Sequence, residues 1–226
     1  MSKMSEKTIF RFPNPVDAPS PTGPFFEKHG PNALDEIPSS RLAIADIIAN
    51  WSATDATIRI FLIGKFGEDL KAASALVDLA RADNFVSVLL PVVVSLQDRK
   101  DMAEAVHNFI LVREKVKKFR DLLAHGIFAS RSDLPGKILV AAGNPYRKDH
   151  LKIFQQMRQD PFQLNYELPF KVWSEEDFSR VRAIGCGLLN SAYALSVCFA
   201  RNSNEIHLWR SAIEKDGLLP KPPWEM

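Results

Sequence analysis

The residues best suited to chemistry lie close together in one predicted helix, at residues 113–126. Arg120, Asp121 and His125 combine a permanent cation, a carboxylate and an imidazole. An arginine can stabilise charge that develops on a phosphoryl group, and a histidine can carry a proton to or from an oxygen. These residue types are therefore suited to acid–base chemistry at a phosphoryl group.

The predicted helix has an apolar stripe for packing and a basic stripe for binding phosphates. At about 100° per residue, its apolar side chains recur on one face. They are Val112, Val116, Phe119 and Leu123. The basic stripe, Arg113, Lys117 and Arg120, lies beside them and leads towards His125. We therefore predict that Arg113, Lys117 and the neighbouring Lys118 bind the phosphates of a nucleic acid.

Hydrophobic periodicity predicts that long helices position these residues. The predicted helices cover residues 37–64, 70–80, 102–125, 174–199 and 205–214. Residues 85–96 are ambiguous because their β-branched side chains favour a strand, but we interpret them as a buried helix that tolerates Pro91. Gly126 occupies the position of a C-cap glycine after His125.

A small β element interrupts the helical pattern. Residues 137–142 and 164–173 are predicted strands, with a short helix at 150–158 between them. The predicted fold class is therefore mainly α, an up-and-down helical bundle with a β insert at about 130–173 before the penultimate helix. The predicted regions are an extended or disordered Pro-rich arm at 1–34, one domain at 35–216 and a tail at 217–226. The phenylalanines of the arm leave open whether it docks or stays mobile.

Composition indicates an ordinary soluble globular protein. The chain has 226 residues, of which 46% are hydrophobic and 25% charged, and a net charge of +2. Because the net charge is small, any RNA binding must come from local clusters of cations. Cys186 and Cys198 lie about 18 Å apart in one predicted helix, too far apart to form a disulfide. With no signal-peptide pattern and no apolar run of membrane length, we predict a cytoplasmic protein with no membrane partner.

Other familiar chemistries find no support in the sequence. The chain has no phosphate-binding glycine loop, no Gly-x-Ser-x-Gly elbow and no Cys-x-x-Cys pair. Its five histidines lack metal-ligand spacing, so we predict neither a metal nor another cofactor. A second arginine–histidine pair, Arg201-Asn202 with His207, lies across a Ser-Asn-rich break and lacks a preceding basic stripe. We therefore rank it below Arg120 and His125.

Residues 120–125 resemble the signature of the HEPN family, the higher eukaryotes and prokaryotes nucleotide-binding domains. That signature is an arginine, a polar residue directly after it, and a histidine after a gap of four to six residues. The resemblance covers roughly residues 37–125 and the helix after Ser174. It implies a homodimeric, metal-independent endoribonuclease in which Arg120, Asp121 and His125 are catalytic. It also implies a toxin–antitoxin or phage-defence role, with an antitoxin or other regulatory protein as a partner.

A non-catalytic interpretation stays open beside this one. A histidine in the last helical turn stabilises the helix dipole by about 0.3–1 kcal/mol, and Asp121 can pair with a lysine one turn earlier. The helix would then belong to a module that binds RNA, a nucleotide or a protein. Arg120 and His125 also lie about 140° apart around a regular helix, so one copy does not direct both side chains to one point. Two copies related by a two-fold axis bring both pairs into one cleft.

Overall fold

The protein is mainly α-helical with one small antiparallel sheet, as predicted. This computed structural model describes residues 12–19, 28–66, 69–79, 85–97, 100–142 and 170–200. The α-helices are α1 (Ser39–Lys65), α2 (Leu70–Leu79), α3 (Phe85–Leu96), α4 (Lys100–His125) and α5 (Glu175–Ala200). A 3₁₀ helix, Gly30–Glu36, precedes α1. The predicted helices at 150–158 and 205–214 lie outside the described residues.

Segment 85–96 is helical, which confirms the interpretation of an ambiguous pattern. One face of α3 packs into the core through Phe85, Val86, Leu89, Leu90, Val93 and Val94. Burial on that scale outweighs the weak β-propensity of valine, because tertiary packing overrides intrinsic preference. Pro91 lies within the helix and is exposed, so its ring does not displace core side chains.

The start of α5 was also predicted correctly, and its capping contacts explain why. The backbone N–H of Asp177 donates to Ser174 Oγ at 3.3 Å, and the backbone N–H of Ser174 donates to Asp177 Oδ2 at 2.9 Å. This reciprocal arrangement satisfies two donors at the helix end that would otherwise lack partners. Acidic residues in the first turn add a favourable interaction with the helix dipole.

The sheet has five short strands in the order β1-β5-β4-β3-β2. They are β1 (Val16–Asp17), β2 (Lys28–His29), β3 (Ile127–Ser130), β4 (Ile138–Ala141) and β5 (Lys171–Trp173). The predicted strand at 137–142 is β4, the central strand, and every one of its residues is buried. Strand β3 begins directly after α4, before the predicted start of the insert, and pairs with β4 in the register Phe128↔Val140.

The proline-rich arm supplies both edge strands. Val16 pairs with Val172 in β5, and Lys28 pairs with Ser130 in β3. Edge positions suit this segment because a proline there removes no hydrogen bond from the interior of a sheet. Buried Arg131 also holds the arm, since its Nη1 donates to the carbonyl oxygen of Pro19 at 2.8 Å. Hydrogen bonds from the same guanidinium lower the pKa of Asp133 from its ordinary value.

The contacts divide the chain into two units. The first includes residues 49–117 and the helical residues from 183 onward, and the second includes residues 12–48 and 118–182. Side-chain contacts join α1 to α5 in each unit at a constant separation of 136 residues. The pairs are Ser39 with Glu175 and Asp46 with Arg182 in the second unit, and Asn50 with Cys186 in the first. A constant separation means that the two helices run in the same direction in each unit.

Helix α5 has a second property that the sequence interpretation did not consider. Its segment Glu175–Phe199 is long and apolar enough to cross a membrane on length and composition alone. Half of that stretch is buried inside the protein, which is also typical of a core helix in a soluble protein. The absence of a membrane partner therefore remains a prediction.

Gly126 does not act as the predicted left-handed C-cap. Gly30 and Gly136 are the described glycines with positive φ, and Gly126 is not among them. Glycine is required at this position for a steric reason instead. A Cβ atom at this position would overlap the carbonyl oxygen of Leu122 and would lie 3.2 Å from Val140 Cγ1. Glycine is needed mainly because the last turn of α4 puts the carbonyl oxygen of Leu122 where a Cβ would lie, and strand β4 adds a second tight contact through Val140.

Replacing Gly126 by alanine is therefore expected to destabilise the fold. Overpacking of this kind costs about 1–3 kcal/mol, which lowers the Tm by roughly 3–10 °C for a chain of this size. Gly64→Ala is the matched control, because no atom lies within 4 Å of a Cβ at that position in α1. Alanine at that helical site should stabilise by about 0.5–1 kcal/mol. Equal thermal melting curves for the two variants would contradict the steric explanation.

Candidate functional site

The apolar stripe of α4 is buried, which confirms the predicted packing face. Val116 and Leu123 are 0% and 2% exposed, and Val112 is 8% exposed. Phe119 stacks on Phe12 at 5.6 Å between ring centroids. It also meets the ring of Trp173 edge-on at 6.0 Å. These contacts determine which side of the last turns of α4 faces solvent.

Arg113 is not on the surface, and its predicted role in holding a phosphate needs correction. Its side chain is 1% exposed, and its Nη2 donates to Asp55 Oδ1 at 2.9 Å. Its Nη1 lies 3.3 Å from Glu114 Oε1, and its guanidinium carbon lies 4.5 Å from the ring centroid of Trp51. A cation enclosed in this way holds the helices of its unit together, because the ion pair and the aromatic face replace its hydration.

The predicted catalytic residues lie at the accessible end of α4. Arg120 Nη1 lies 2.8 Å from Asp121 Oδ1, and the two side chains are 22% and 38% exposed. His125 is the last residue of the helix, and it is exposed. Of the two remaining predicted phosphate-binding residues, Lys118 is exposed and Lys117 is half-buried. Asp121 therefore forms an ion pair with Arg120, its neighbour in the chain.

The helical face that reaches His125 is not the basic stripe. Continuing the spacing of Arg113, Lys117 and Arg120 by one turn leads to Ala124. The residues that share a face with His125 precede it by 4, 7 and 11 positions. We call this set the His125 face; it contains Glu114, Lys118, Asp121 and His125.

Sequence reasoning missed Glu114 as a member of this face, although the spacing would have revealed it. Glu114 is 46% exposed and lies 3.3 Å from the buried Arg113 through its Oε1. The His125 face therefore alternates acidic and basic groups along the helix. It is a mixed surface, whereas the basic stripe implied a purely cationic one. Only Lys118 of this face offers a long, mobile cation to a phosphate.

The angular separation of Arg120 and His125 survives in the structure. Helix α4 is α-helical as far as His125, so its last turn does not distort to bring the two side chains together. The separation is therefore about 140° around the helix and about 7.5 Å along it. Asp121 lies between them in angle, one residue after Arg120 and one helical turn before His125. One copy of α4 presents an arginine–carboxylate pair and a nearby imidazole pointing in a different direction.

Other candidate chemistry is sparse in the described part of the chain. No group of three or more His, Cys, Asp or Glu side chains there is close enough to hold a metal ion. Neither Cys186, which is exposed, nor Cys198, which is buried, is part of a disulfide. The alternative pair Arg201-Asn202 and His207 lies outside the described residues.

Comparison with known proteins adds no assignment. No protein-family model, curated protein or solved structure matches this chain. The resemblance to the HEPN family therefore rests on the sequence pattern of Arg120, Asp121 and His125. Function has to be argued from the chemistry at the end of α4.

Proposed function

We propose that the chain is a metal-independent endoribonuclease of the HEPN type, with Arg120, Asp121 and His125 in its active site. The observation that carries the proposal is the Arg120–Asp121 ion pair at 2.8 Å, beside an exposed His125 at the end of α4. An arginine held by a carboxylate is oriented, and orientation is what a residue that stabilises a transition state requires. A solvent-exposed imidazole can exchange protons with a bound substrate.

In the proposed reaction the 2′-hydroxyl oxygen of RNA attacks the neighbouring phosphorus. A new O–P bond forms as the bond to the 5′-oxygen breaks, and the products are a 2′,3′-cyclic phosphate and a free 5′-hydroxyl. One histidine removes the proton from the 2′-hydroxyl, and an acid supplies a proton to the departing 5′-oxygen. Arg120 stabilises the extra negative charge on the phosphorane oxygens through its N–H groups.

Asp121 has two roles in this proposal. Its carboxylate holds the guanidinium of Arg120, whose five N–H donors allow a phosphate to be bound at the same time. It also lies one helical turn before His125, where a carboxylate can accept a hydrogen bond from a ring N–H and so select the tautomer. The active site therefore needs the carboxylate as well as the arginine–histidine pair.

A homodimer completes the proposed site. Helix α4 keeps Arg120 and His125 of one copy about 140° apart. In the proposed dimer, Arg120 of one copy therefore acts together with His125 of the other. A two-fold axis beside the end of α4 brings both sets into one cleft, where one histidine acts as base and the other as acid. A toxin–antitoxin or phage-defence setting, a partner antitoxin and a cytoplasmic location belong to the same proposal.

The proposal is tested by cleavage of a mixed pool of single-stranded and structured RNAs. A chelator should leave the rate unchanged, because no metal ion is needed to activate the nucleophile. RNA with a single 2′-deoxy substitution at the cleaved position should resist cleavage, because the attacking oxygen is missing. The cleaved end should carry a 2′,3′-cyclic phosphate, detectable by mass spectrometry. Cleavage that requires a divalent ion, or that continues at the 2′-deoxy position, would contradict this mechanism.

A further inference from the structure

Phe119 is the least buried residue in the apolar stripe of α4. It is half-buried, whereas Val112, Val116 and Leu123 are buried. The ring of Phe12, which is also half-buried, lies against it at 5.6 Å between ring centroids, with the two planes 8° from parallel. The stacked pair therefore reaches the surface of the second unit, where one flat ring covers the face of another.

The ring of Phe119 is fixed from inside the protein. Trp173, which is 0% exposed, meets it at 77° and 6.0 Å between centroids. Trp173 in turn packs against Phe178 at 5.3 Å. Because these contacts come from β5 and α5, Phe119 keeps its orientation if the Phe12 ring moves away. A ring that is held in this way is a platform on which another flat ring can stack.

Two cations flank Phe119 along α4. Lys118 and Arg120 each lie about 100° around the helix and about 1.5 Å along it from Phe119. Lys118 is exposed, and the side chain of Arg120 is 22% exposed. An aromatic ring between cations is typical of surfaces that bind single-stranded nucleic acid, because bases stack on the ring while the cations hold the backbone. An apolar side chain of a partner protein would also pack there, but it would bring no anion to the two cations.

The rest of the arm is held independently of the Phe12 ring. Pro13, directly after Phe12, is buried. Strand β1 pairs with β5, and Arg131 Nη1 donates to the carbonyl oxygen of Pro19 at 2.8 Å. These contacts keep the arm in place while the single ring turns away from Phe119. Another flat ring can therefore replace that of Phe12 without disrupting the sheet.

We infer that Phe119 is a stacking platform for a base of single-stranded RNA and that Phe12 masks it, so that RNA has to displace the Phe12 ring to bind there. The inference rests on the proposed function, which supplies RNA as the ligand, and it adds a binding contact that the reaction itself does not use. Masking lowers the apparent affinity in proportion to the fraction of molecules in which the ring is displaced. The strength of an aromatic pair limits this effect to roughly 2- to 10-fold.

The test is fluorescence anisotropy with a labelled single-stranded oligoadenylate RNA of about 10 nucleotides. All variants carry His125→Ala, so that the strand is not cut. Phe12→Ala should raise the affinity roughly 2- to 10-fold, because the base no longer competes with a ring. Phe12→Trp should lower it, because a larger ring stacks more strongly. If the Phe12 ring only supported the fold, neither variant would bind RNA more tightly than the chain with Phe12.

Val16→Ala is the matched control on the same arm. Val16 is 65% exposed and pairs with Val172 through its backbone, which alanine retains. Its RNA affinity should equal that of the chain with Val16. Thermal melting of each variant shows whether it is folded, and Phe12→Trp keeps the test decisive if Phe12→Ala is not.

A double-mutant cycle locates the effect at Phe119. Phe119→Leu should lower the affinity by roughly fivefold or more, because leucine offers no flat face to a base. In that background Phe12→Ala should have no effect, since there is no platform left to unmask. A strand of the same length without bases should bind equally with Phe12 or Ala at position 12. An unchanged or lower affinity of folded Phe12→Ala, or an equal gain for the strand without bases, would overturn the inference.

The ribonuclease proposal and this inference are distinguishable because they are measured separately. If the unmodified chain cleaves RNA but Phe12→Ala and Phe12→Trp leave the affinity unchanged, the inference fails and the proposed function stands. If Phe12→Ala binds RNA more tightly but no chain with His125 ever cleaves it, the platform stands and the catalytic proposal fails.

Discussion

Replacing His125 by alanine is expected to lower the RNA cleavage rate by a factor of about 10²–10⁴, the usual contribution of a general acid or base. Arg120→Ala should cause a loss of similar size, roughly 10²–10³ in kcat, because a donor to the developing phosphorane charge is removed. His125 is exposed at the end of α4, so circular dichroism and thermal melting of His125→Ala should match the unmodified protein. Arg120 is only 22% exposed, so the same two measurements first establish that Arg120→Ala is folded at the assay temperature. The measurement is single-turnover cleavage of one defined RNA.

Lys118→Ala separates binding from catalysis in the same assay. Lys118 is exposed on the His125 face, so its ammonium can contact a phosphate without entering the reaction. Its removal should weaken RNA binding and reduce the slope of log K against log salt by roughly 1, with little change in the rate at saturating RNA. Half-buried Lys117 should show a smaller effect.

Two outcomes would contradict the catalytic proposal. Cleavage that persists unchanged in His125→Ala would show that the activity belongs to another site or to a contaminant. RNA that binds to the unmodified chain with the expected salt dependence but is never cut would favour the non-catalytic binding module. The measurement of RNA binding by Lys118→Ala then remains informative, because it tests whether Lys118 belongs to the binding surface in either case.

Replacing Arg113 by alanine is expected to destabilise the fold by roughly 2–4 kcal/mol, with a Tm lower by about 5–15 °C. The buried guanidinium donates twice to Asp55 and lies over the ring of Trp51. Its removal leaves a cavity beside α4, and it leaves the carboxylate of Asp55 without its counter-charge. The cost is reduced because Asp55 is 28% exposed and can recover some hydration. Denaturant unfolding of the purified variant measures the loss.

Lys117→Ala is the control for this experiment, because Lys117 follows Arg113 on the same stripe and is only half-buried. Its effect on stability should stay within about 0.5 kcal/mol. Arg113→Met with Asp55→Leu tests the ion pair as a unit, since an apolar pair of similar volume should recover part of the lost stability. If Arg113→Ala is fully stable but binds RNA with a smaller slope of log K against log salt, that result would support the predicted contact between Arg113 and a phosphate.

Much of the helical architecture could be predicted from the sequence because its signals are local. Apolar residues at helical spacing determine which face of α4 packs, and Val116 and Leu123 are buried as that spacing requires. Ser174 and Asp177 lie three positions apart and form their capping contacts regardless of what surrounds them. The pattern of Arg120, Asp121 and His125 is local in the same sense, so the candidate site can be recognised from the amino-acid sequence alone.

The sheet was less predictable because its partners are distant in the chain. Val16 pairs with Val172, and Lys28 pairs with Ser130, so neither edge strand has a partner within a local window of sequence. The role of Gly126 is only partly of this kind. A Cβ there would overlap the carbonyl oxygen of Leu122, four residues earlier, whereas its tight contact with Val140 depends on the pairing of β4 with β3.

Sequence by itself determined the mainly α fold, the buried face of α4 and the chemical types at its end. Tertiary structure decided which cations are accessible. The sequence of a basic stripe is the same whether or not another helix packs on it. In the structure, Asp55 and Trp51 of α1 contact Arg113, whereas Lys118 is exposed to solvent. The physical reason is that burial of a charge depends on a counter-charge, supplied from 58 residues away, and on an aromatic face from the same distant helix. Helical spacing alone cannot encode that contact.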